Sequence, residues 1–326
     1  MTVLVTGAAG FIGFHTCRAL LDRGDDVIGI DDVNDYYDVA LKEARLAILA
    51  EHEGFHFERM DIAERDDMES LTVRHPEIDR IIHLAAQAGV RYSLINPYAY
   101  LRTNVDGQLM VLEACRRLEG LKHLVFASSS SVYGGNTEMP FTVDCRVDTP
   151  LSLYAATKKS AELMGHTYAH LYRVPQTGLR FFTVYGPWGR PDMAAFIFAR
   201  KILAGEPIPV FNNGDMRRDF TYIDDIVSGI VACLDHPPAD DGARPPYRVY
   251  NIGNSRTESL MRFIGLIETA LGQKADIQFQ PMQPGDVKET YSDISPMRRD
   301  FGFSPATTID DGIPRFIDWY RDYHRT

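Results

Sequence analysis

The sequence predicts an α/β fold, a doubly wound parallel sheet joined to a smaller mixed α/β domain, and three observations carry that prediction. Short apolar runs alternate with helical patterns through the first half of the chain, a glycine-rich turn links the first run to the first helix, and from Tyr185 onward glycine, proline and arginine dominate. Residues 1–180 are expected to form the sheet domain, with returns near 220–253, and residues 181–326 the smaller, interleaved domain.

Composition narrows the function classes. The chain has 326 residues, 45% of them hydrophobic and 24% charged, which is ordinary for a globular protein. A net charge of −11 speaks against polyanion binding, so no nucleic-acid partner is expected. Cys17, Cys115, Cys145 and Cys233 lie far apart with no CxxC pair and no companion His cluster, so they read as reduced thiols of a cytoplasmic protein, and no metal site is expected. The first apolar run breaks at Thr6-Gly7 without a basic flank, and 18 consecutive apolar residues occur nowhere, so neither a leader nor a membrane span is expected.

In chain order, Val3–Val5, a glycine turn, the helical pattern Phe11–Arg23 and the run Val27–Ile30 ending in Asp31 make a βαβ unit. The turn reads Gly7-Ala8-Ala9-Gly10-Phe11-Ile12-Gly13. Small residues there let the main chain approach a pyrophosphate at a helix N-terminus, and Gly13 permits close packing of helix on strand. Asp31, 18 residues after Gly13, suits the hydroxyls of an adenine ribose and repels a 2′-phosphate, which favours NAD over NADP. The run 55–62 reads as a third strand whose exit, Asp61-Ile62, meets the adenine. Arg80–Ala86 reads as a buried parallel strand whose end, Leu84-Ala85-Ala86, lies against the cofactor.

A helix over about Pro97–Leu118 follows, then a strand over Leu121–Ala127, the hydroxyl run Ser128–Ser131, a helix preceded by Pro150 and continuing to about Arg173, and a strand over Thr177–Thr183. In the second helix Tyr154 and Lys158 stand one turn apart on one face. A phenol of ordinary pKa about 10 is a poor base at neutral pH, and a cation one turn away favours its phenolate form. The remainder has proline-bounded loops and β-like returns near 247–252 and 277–280.

With the glycine turn, Asp31, the serine run and Tyr154/Lys158 in place, the chain resembles the extended short-chain dehydrogenase/reductase superfamily from end to end, which implies a Rossmann sheet domain and an NAD cofactor. Several stretches resemble its UDP-glucuronate 4-epimerase branch: Asn34-Asp35-Tyr36-Tyr37-Asp38, Leu41–Leu46, Ala88–Ser93, Phe182–Pro187, Arg190–Met193 and Gln283–Val287. The resemblance implies that Ser129 hydrogen-bonds the reacting hydroxyl, that Tyr154 is the acid/base, and that Lys158 bridges the nicotinamide ribose and lowers the phenol pKa. Sugar-nucleotide 4,6-dehydratases and UDP-glucuronate decarboxylases place acidic residues where this chain has Ser130 and Ser131. Elimination needs a base at C5 and an acid for the leaving group, so their absence favours oxidation and reduction at C4.

The implied reaction is C4 epimerisation of UDP-glucuronate through a 4-keto intermediate. A 4-keto uronate is a β-keto acid, which loses carbon dioxide when its carboxylate stands perpendicular to the carbonyl. Arg190, helped by Thr183 and Ser131, is expected to clamp that carboxylate, with Arg91 in reserve. For the UDP half, the resemblance places Arg218 on the pyrophosphate, Val210 and Phe211 beside the uracil, and Asp286 on the ribose hydroxyls, while Gln283 stands where galactose epimerases carry an arginine. The alternatives are a UDP-hexose 4-epimerase, a UDP-glucuronate decarboxylase and, from another class, a silent NAD-binding scaffold. Intact Ser129, Tyr154 and Lys158 count against the scaffold. Relatives pair through two long helices, here about 97–118 and 151–173, which implies a homodimer.

Overall fold

Strand β1 (Thr2–Thr6), helix α1 (Phe11–Asp22), strand β2 (Asp26–Asp31), helix α2 (Val39–Leu49) and strand β3 (Phe55–Arg59) open the computed structural model, which describes residues 1–325. Helix α3 (Arg65–Arg74), strand β4 (Arg80–His83), helices α4 (Pro97–Leu101) and α5 (Gly107–Arg117), strand β5 (His123–Ser129), helix α6 (Leu153–Tyr172) and strand β6 (Gln176–Phe181) follow. The C-terminal part adds β7 (Thr183–Tyr185), α7 (Ala194–Leu203), β8 (Ile208–Val210), β9 (Arg217–Tyr222), α8 (Ile223–Leu234), β10 (Tyr247–Ile252), β11 (Thr257–Ser259), α9 (Leu260–Leu271), β12 (Ile277–Phe279), α10 (Ser295–Phe301) and α11 (Ile309–His324).

Seven strands in the order β10-β6-β5-β4-β1-β2-β3 make one all-parallel sheet. Alternation along β1 explains its two covered faces. Val3 and Val5 join an apolar cluster with α1 and α8, whereas Leu4 joins another with Met68 of α3, Val111 of α5 and Ala161 of α6. Strand order reverses between β1 and β4, so the carboxyl ends of these two strands open the crevice in which such sheets bind ligands. Two small sheets, β11-β9-β7 and β12-β8, stand beyond that edge.

The structure changes two expected elements. The helix expected over Pro97–Leu118 is α4 and α5 joined by a π-helical turn at Arg102–Asp106. The strand expected over Thr177–Thr183 divides, because the Phe182 amide donates to Ile252 O (3.1 Å) and β7 then joins a different sheet. β10 enters the large sheet beside β6, so residues far along the chain complete the first sheet.

Candidate active site

The parallel sheet delivers its strand ends to one cleft: Gly7 after β1, Asp31 ending β2, Asp61 after β3, Leu84 after β4, Ser129 ending β5 and Thr183 after β6. Residues expected from widely separated motifs therefore converge by topology.

The glycine turn must be bare. Gly7 has φ +76°, and a Cβ there would lie 2.8 Å from Ala85 N; a Cβ on Gly13 would lie 2.0 Å from Gly7 O. Gly10 caps α1 without a side-chain hydrogen bond, which leaves the first-turn amides at Phe11 and Ile12 to an anionic partner. Asp31 accepts from Ala9 N (3.1 Å) and Val33 N (2.8 Å), so its carboxylate is fixed while lone pairs remain for ribose hydroxyls. Burial pushes Asp31 up, and the Val33 amide, Lys42 and the Ala9 amide counter it. Asp61 accepts from Ala63 N and pairs with Arg102 at 2.6 Å; Ile62 is buried against Gly107. Leu84 N and Ala85 N bond Thr6 O and Thr6 Oγ1, which flattens β4's exit, Ala86 included, beside Gly7. Bare glycines, uncapped amides and a fixed carboxylate fit a dinucleotide.

Ser152 caps α6 by accepting from Ala155 N (3.1 Å), which places Tyr154 in the first turn and Lys158 one turn on. Ser129 stands beside the Tyr154 phenol, near enough to draw its pKa down, and Ser131 N and Oγ both lie 3.2 Å from Ser129 Oγ. Burial raises the Tyr154 pKa, and Ser129 and the charge of Arg190 pull it back. Lys158 Nζ donates to Ala127 O at 3.0 Å. Burial lowers the Lys158 ammonium to about 8.

On the sugar side, Arg190 Nε and Nη2 grip Asp192 at 3.0 and 2.5 Å, and Tyr36 Oη donates to the same carboxylate at 3.1 Å. Burial opposes the Arg190 charge, but Asp192 outweighs it and holds the guanidinium above its ordinary range. Thr183 and Arg190 line one small cavity together with Phe11 of α1. Arg218 pairs with Asp286 at 2.7 Å, which brings together two residues expected to act separately. Arg91 is exposed and lies over the Phe211 ring at 4.6 Å, in the group around Arg218 rather than that around Arg190. One expectation needs correction: Val210 is fully buried in the core, so its side chain is not free to flank a base, and Phe211 alone of that pair is partly open.

Several residues of this neighbourhood escaped the sequence reading. Arg180 Nε and Nη2 hold Glu162 in a buried bidentate pair at 2.8 and 2.9 Å, and Ser128 Oγ donates to Glu162 Oε1 at 2.7 Å. Glu162 follows Lys158 by one further turn, so the Tyr154–Lys158 stripe, extended, would have found it. Asn104, in the π-helical turn, accepts from Gln87 N and donates to Gln87 O and to Thr157 Oγ1 on α6. His83 faces Thr6 Oγ1 at 2.7 Å, and burial with the nearby Lys158 charge lowers it to about 3, which keeps it neutral. Arg45, with no exposed surface, donates to Ala9 O (2.7 Å), Tyr37 Oη (2.8 Å) and Trp188 O (2.6 Å), tying the glycine turn to the loop that carries Arg190.

Residues 3–253 match the model of the NAD dependent epimerase/dehydratase family. The chain is 46% identical over 338 residues to a probable UDP-glucuronate 4-epimerase of Rhizobium meliloti, covering 100% of this chain and 98% of that one. It is 45% identical to UDP-glucuronate 4-epimerase 2 of Arabidopsis thaliana, over 100% of this chain and 77% of the relative. The crystal structure of a Bacillus cereus UDP-glucuronic acid 4-epimerase with UDP-glucuronic acid and NAD superposes with a TM-score of 0.91 at 36% identity, covering 99% of this chain and 100% of that one.

Proposed function

Since the chain belongs to the NAD dependent epimerase/dehydratase family, we propose that it is a UDP-glucuronate 4-epimerase, which interconverts UDP-glucuronate and UDP-galacturonate with NAD as cofactor. The observation that carries the uronate is Arg190: a guanidinium held beside Tyr154, close enough for its charge to act on the phenol, in a cleft already fitted for a dinucleotide. A neutral hexose offers that cation no charge beyond the one Asp192 already supplies.

The glycine turn and the α1 amides hold the cofactor's diphosphate, Asp31 its adenine ribose, and Asp61-Ile62 the region of its adenine. When bound, NAD accepts the C4 hydride and returns it. Tyr154 takes the proton of the C4 hydroxyl and later gives one back, with Ser129 beside the same phenol. Lys158, anchored on Ala127 O, supplies positive charge one turn below. Arg190, Thr183 and Ser131 hold the sugar carboxylate near the plane of the C4 carbonyl and so suppress its loss as carbon dioxide. Arg218 and Asp286 serve the diphosphate and ribose of UDP, and Phe211 with Arg91 its base.

We further read the chain as a cytoplasmic homodimer. Leu94, Tyr98, Leu101 and Leu109, on α4, α5 and the turn before them, are exposed, as are Leu163 and Leu171 on α6. A second copy burying these faces as a four-helix bundle accounts for apolar surface that water otherwise meets. All four cysteines are unpaired, which supports a reducing compartment, and no described helix is long and apolar enough to cross a membrane.

The test is to incubate the purified protein with UDP-glucuronic acid, add no cofactor, and follow the sugar protons by NMR. UDP-galacturonic acid is the expected product. A UDP-pentose as main product would replace this reading with the decarboxylase, and turnover of UDP-hexoses alone would replace it with the neutral-sugar epimerase.

A further inference from the structure

Away from the cleft, β3 carries a second convergence of ligating atoms. β3 is the edge strand of the large sheet, and Phe55 and Phe57 turn toward apolar neighbours, so His56 and Glu58 share its opposite face. There they meet His75, the residue that ends α3. Glu58 Oε1 lies 2.6 Å from His75 Nε2 and 3.5 Å from His56 Nε2, and the three ligand atoms all lie within 4.8 Å of one another. A tetrahedral ion with ligands at about 2.0–2.1 Å holds them about 3.3–3.4 Å apart. The 2.6 and 3.5 Å separations from Glu58 bracket that spacing, and the His56 side chain, 61% exposed, has room to adjust.

The surroundings are those of a prepared site. Arg74 holds Glu58 through Oε2, which leaves Oε1 aimed at both imidazoles. His75 Nδ1 faces Glu77 Oε1 at 3.2 Å. A neutral imidazole has one ring proton. In the empty site Nε2 bonds Glu58; with a cation bound, the proton would sit on Nδ1 and serve Glu77 while Nε2 and Glu58 face the ion. Carboxylate, histidine and metal in line is the arrangement by which outer groups fix a ligating histidine. Glu58 and Glu77 together outweigh Arg74 in charge.

We propose that His56, Glu58 and His75 form a site for a divalent transition-metal ion of the Zn²⁺, Ni²⁺ or Co²⁺ class, with Glu77 as a positioning residue. Two imidazoles and one carboxylate suit those ions better than Mg²⁺ or Ca²⁺, which prefer all-oxygen sets. Three protein ligands leave a fourth position for water. The ion staples the edge strand to the end of α3. His75 lies 19 positions after His56, a spacing that hides the cluster in the sequence.

The experiment titrates the tag-free, EDTA-treated, NAD-bound enzyme with Co²⁺ and then Zn²⁺. One equivalent of Co²⁺ with the visible absorption of a four-coordinate ion, displaced by Zn²⁺, is expected. His56→Ala and His75→Gln should each weaken Co²⁺ binding at least about a hundredfold, and Glu77→Gln about tenfold, with metal-free epimerase turnover and far-UV circular dichroism unchanged. Co²⁺ binding as tight in the His56→Ala/His75→Gln double variant as in the wild type would overturn the proposal, as would a wild type that binds no Co²⁺.

Discussion

On the cofactor wall of the cleft, Gly7, Gly13 and Asp31 are fixed by main-chain contacts, whereas on the sugar wall Arg190 and Arg218 are fixed by the carboxylates of Asp192 and Asp286. The first wall is set when the sheet forms, since moving it means moving strands. The second rests on ion pairs in loops, and there an incoming carboxylate or diphosphate competes with an internal one. Two of the five Arg190 N–H groups are engaged by Asp192, so the guanidinium is oriented before substrate arrives. On the function proposed above, the difference teaches that the cofactor would be held by shape and the sugar selected by charge.

The strongest attempt to break the comparison acts on the group between the walls. Tyr154→Phe should lower kcat by about 10²–10⁴ while equilibrium binding of UDP-glucuronate barely changes, because only the proton carrier is removed. Undiminished turnover would refute the acid/base role. Next, Arg190→Ala should lower kcat/KM for UDP-glucuronate about a hundredfold and divert part of the product to UDP-pentose and carbon dioxide. Wild-type kinetics with clean UDP-galacturonate would show that the sugar wall selects by something else.

A third prediction tests the cofactor wall through pH. Burial lowers Lys158 from its ordinary 10.5 to about 8. The folded state thus gives up this proton before the unfolded chain does. The unfavourable burial of charge is present in full below pH 8, and fades as pH rises to 10.5. Relative to Lys158→Met, NAD-free wild type should therefore gain about 3 kcal/mol across that window in denaturant unfolding. A difference flat with pH would mean that the ammonium is solvated. The smallest effect is expected at Arg91, which is exposed over Phe211. Arg91→Ala should raise KM about two- to fivefold and leave kcat alone, and a change of product would move the carboxylate clamp to this residue.

The cofactor wall was the more legible because its signals are local. A glycine turn between strand and helix, or Tyr154 and Lys158 one turn apart, depends on neighbours in sequence and survives translation into structure. Long-range partners were not legible. Nothing near Glu162 announces Arg180 on β6, and nothing near Arg190 announces Tyr36, 154 residues earlier, as part of its carboxylate network. Val210 shows the opposite failure: motif position suggested a ligand contact, and register within β8 turned the side chain into the core.

Arg45 makes the two walls inseparable parts. Its guanidinium spans from Ala9 O in the first turn of the fold to Trp188 O, 143 residues further along than Arg45 itself. A specificity loop is often treated as a cassette to be exchanged between relatives. Here the 186–193 loop is keyed to the chassis by that side chain, by His15 on Pro187 O and by Tyr36 on Asp192. An engineer who transplants the loop must carry Arg45, His15 and Tyr36 with it, or the graft arrives without its foundation.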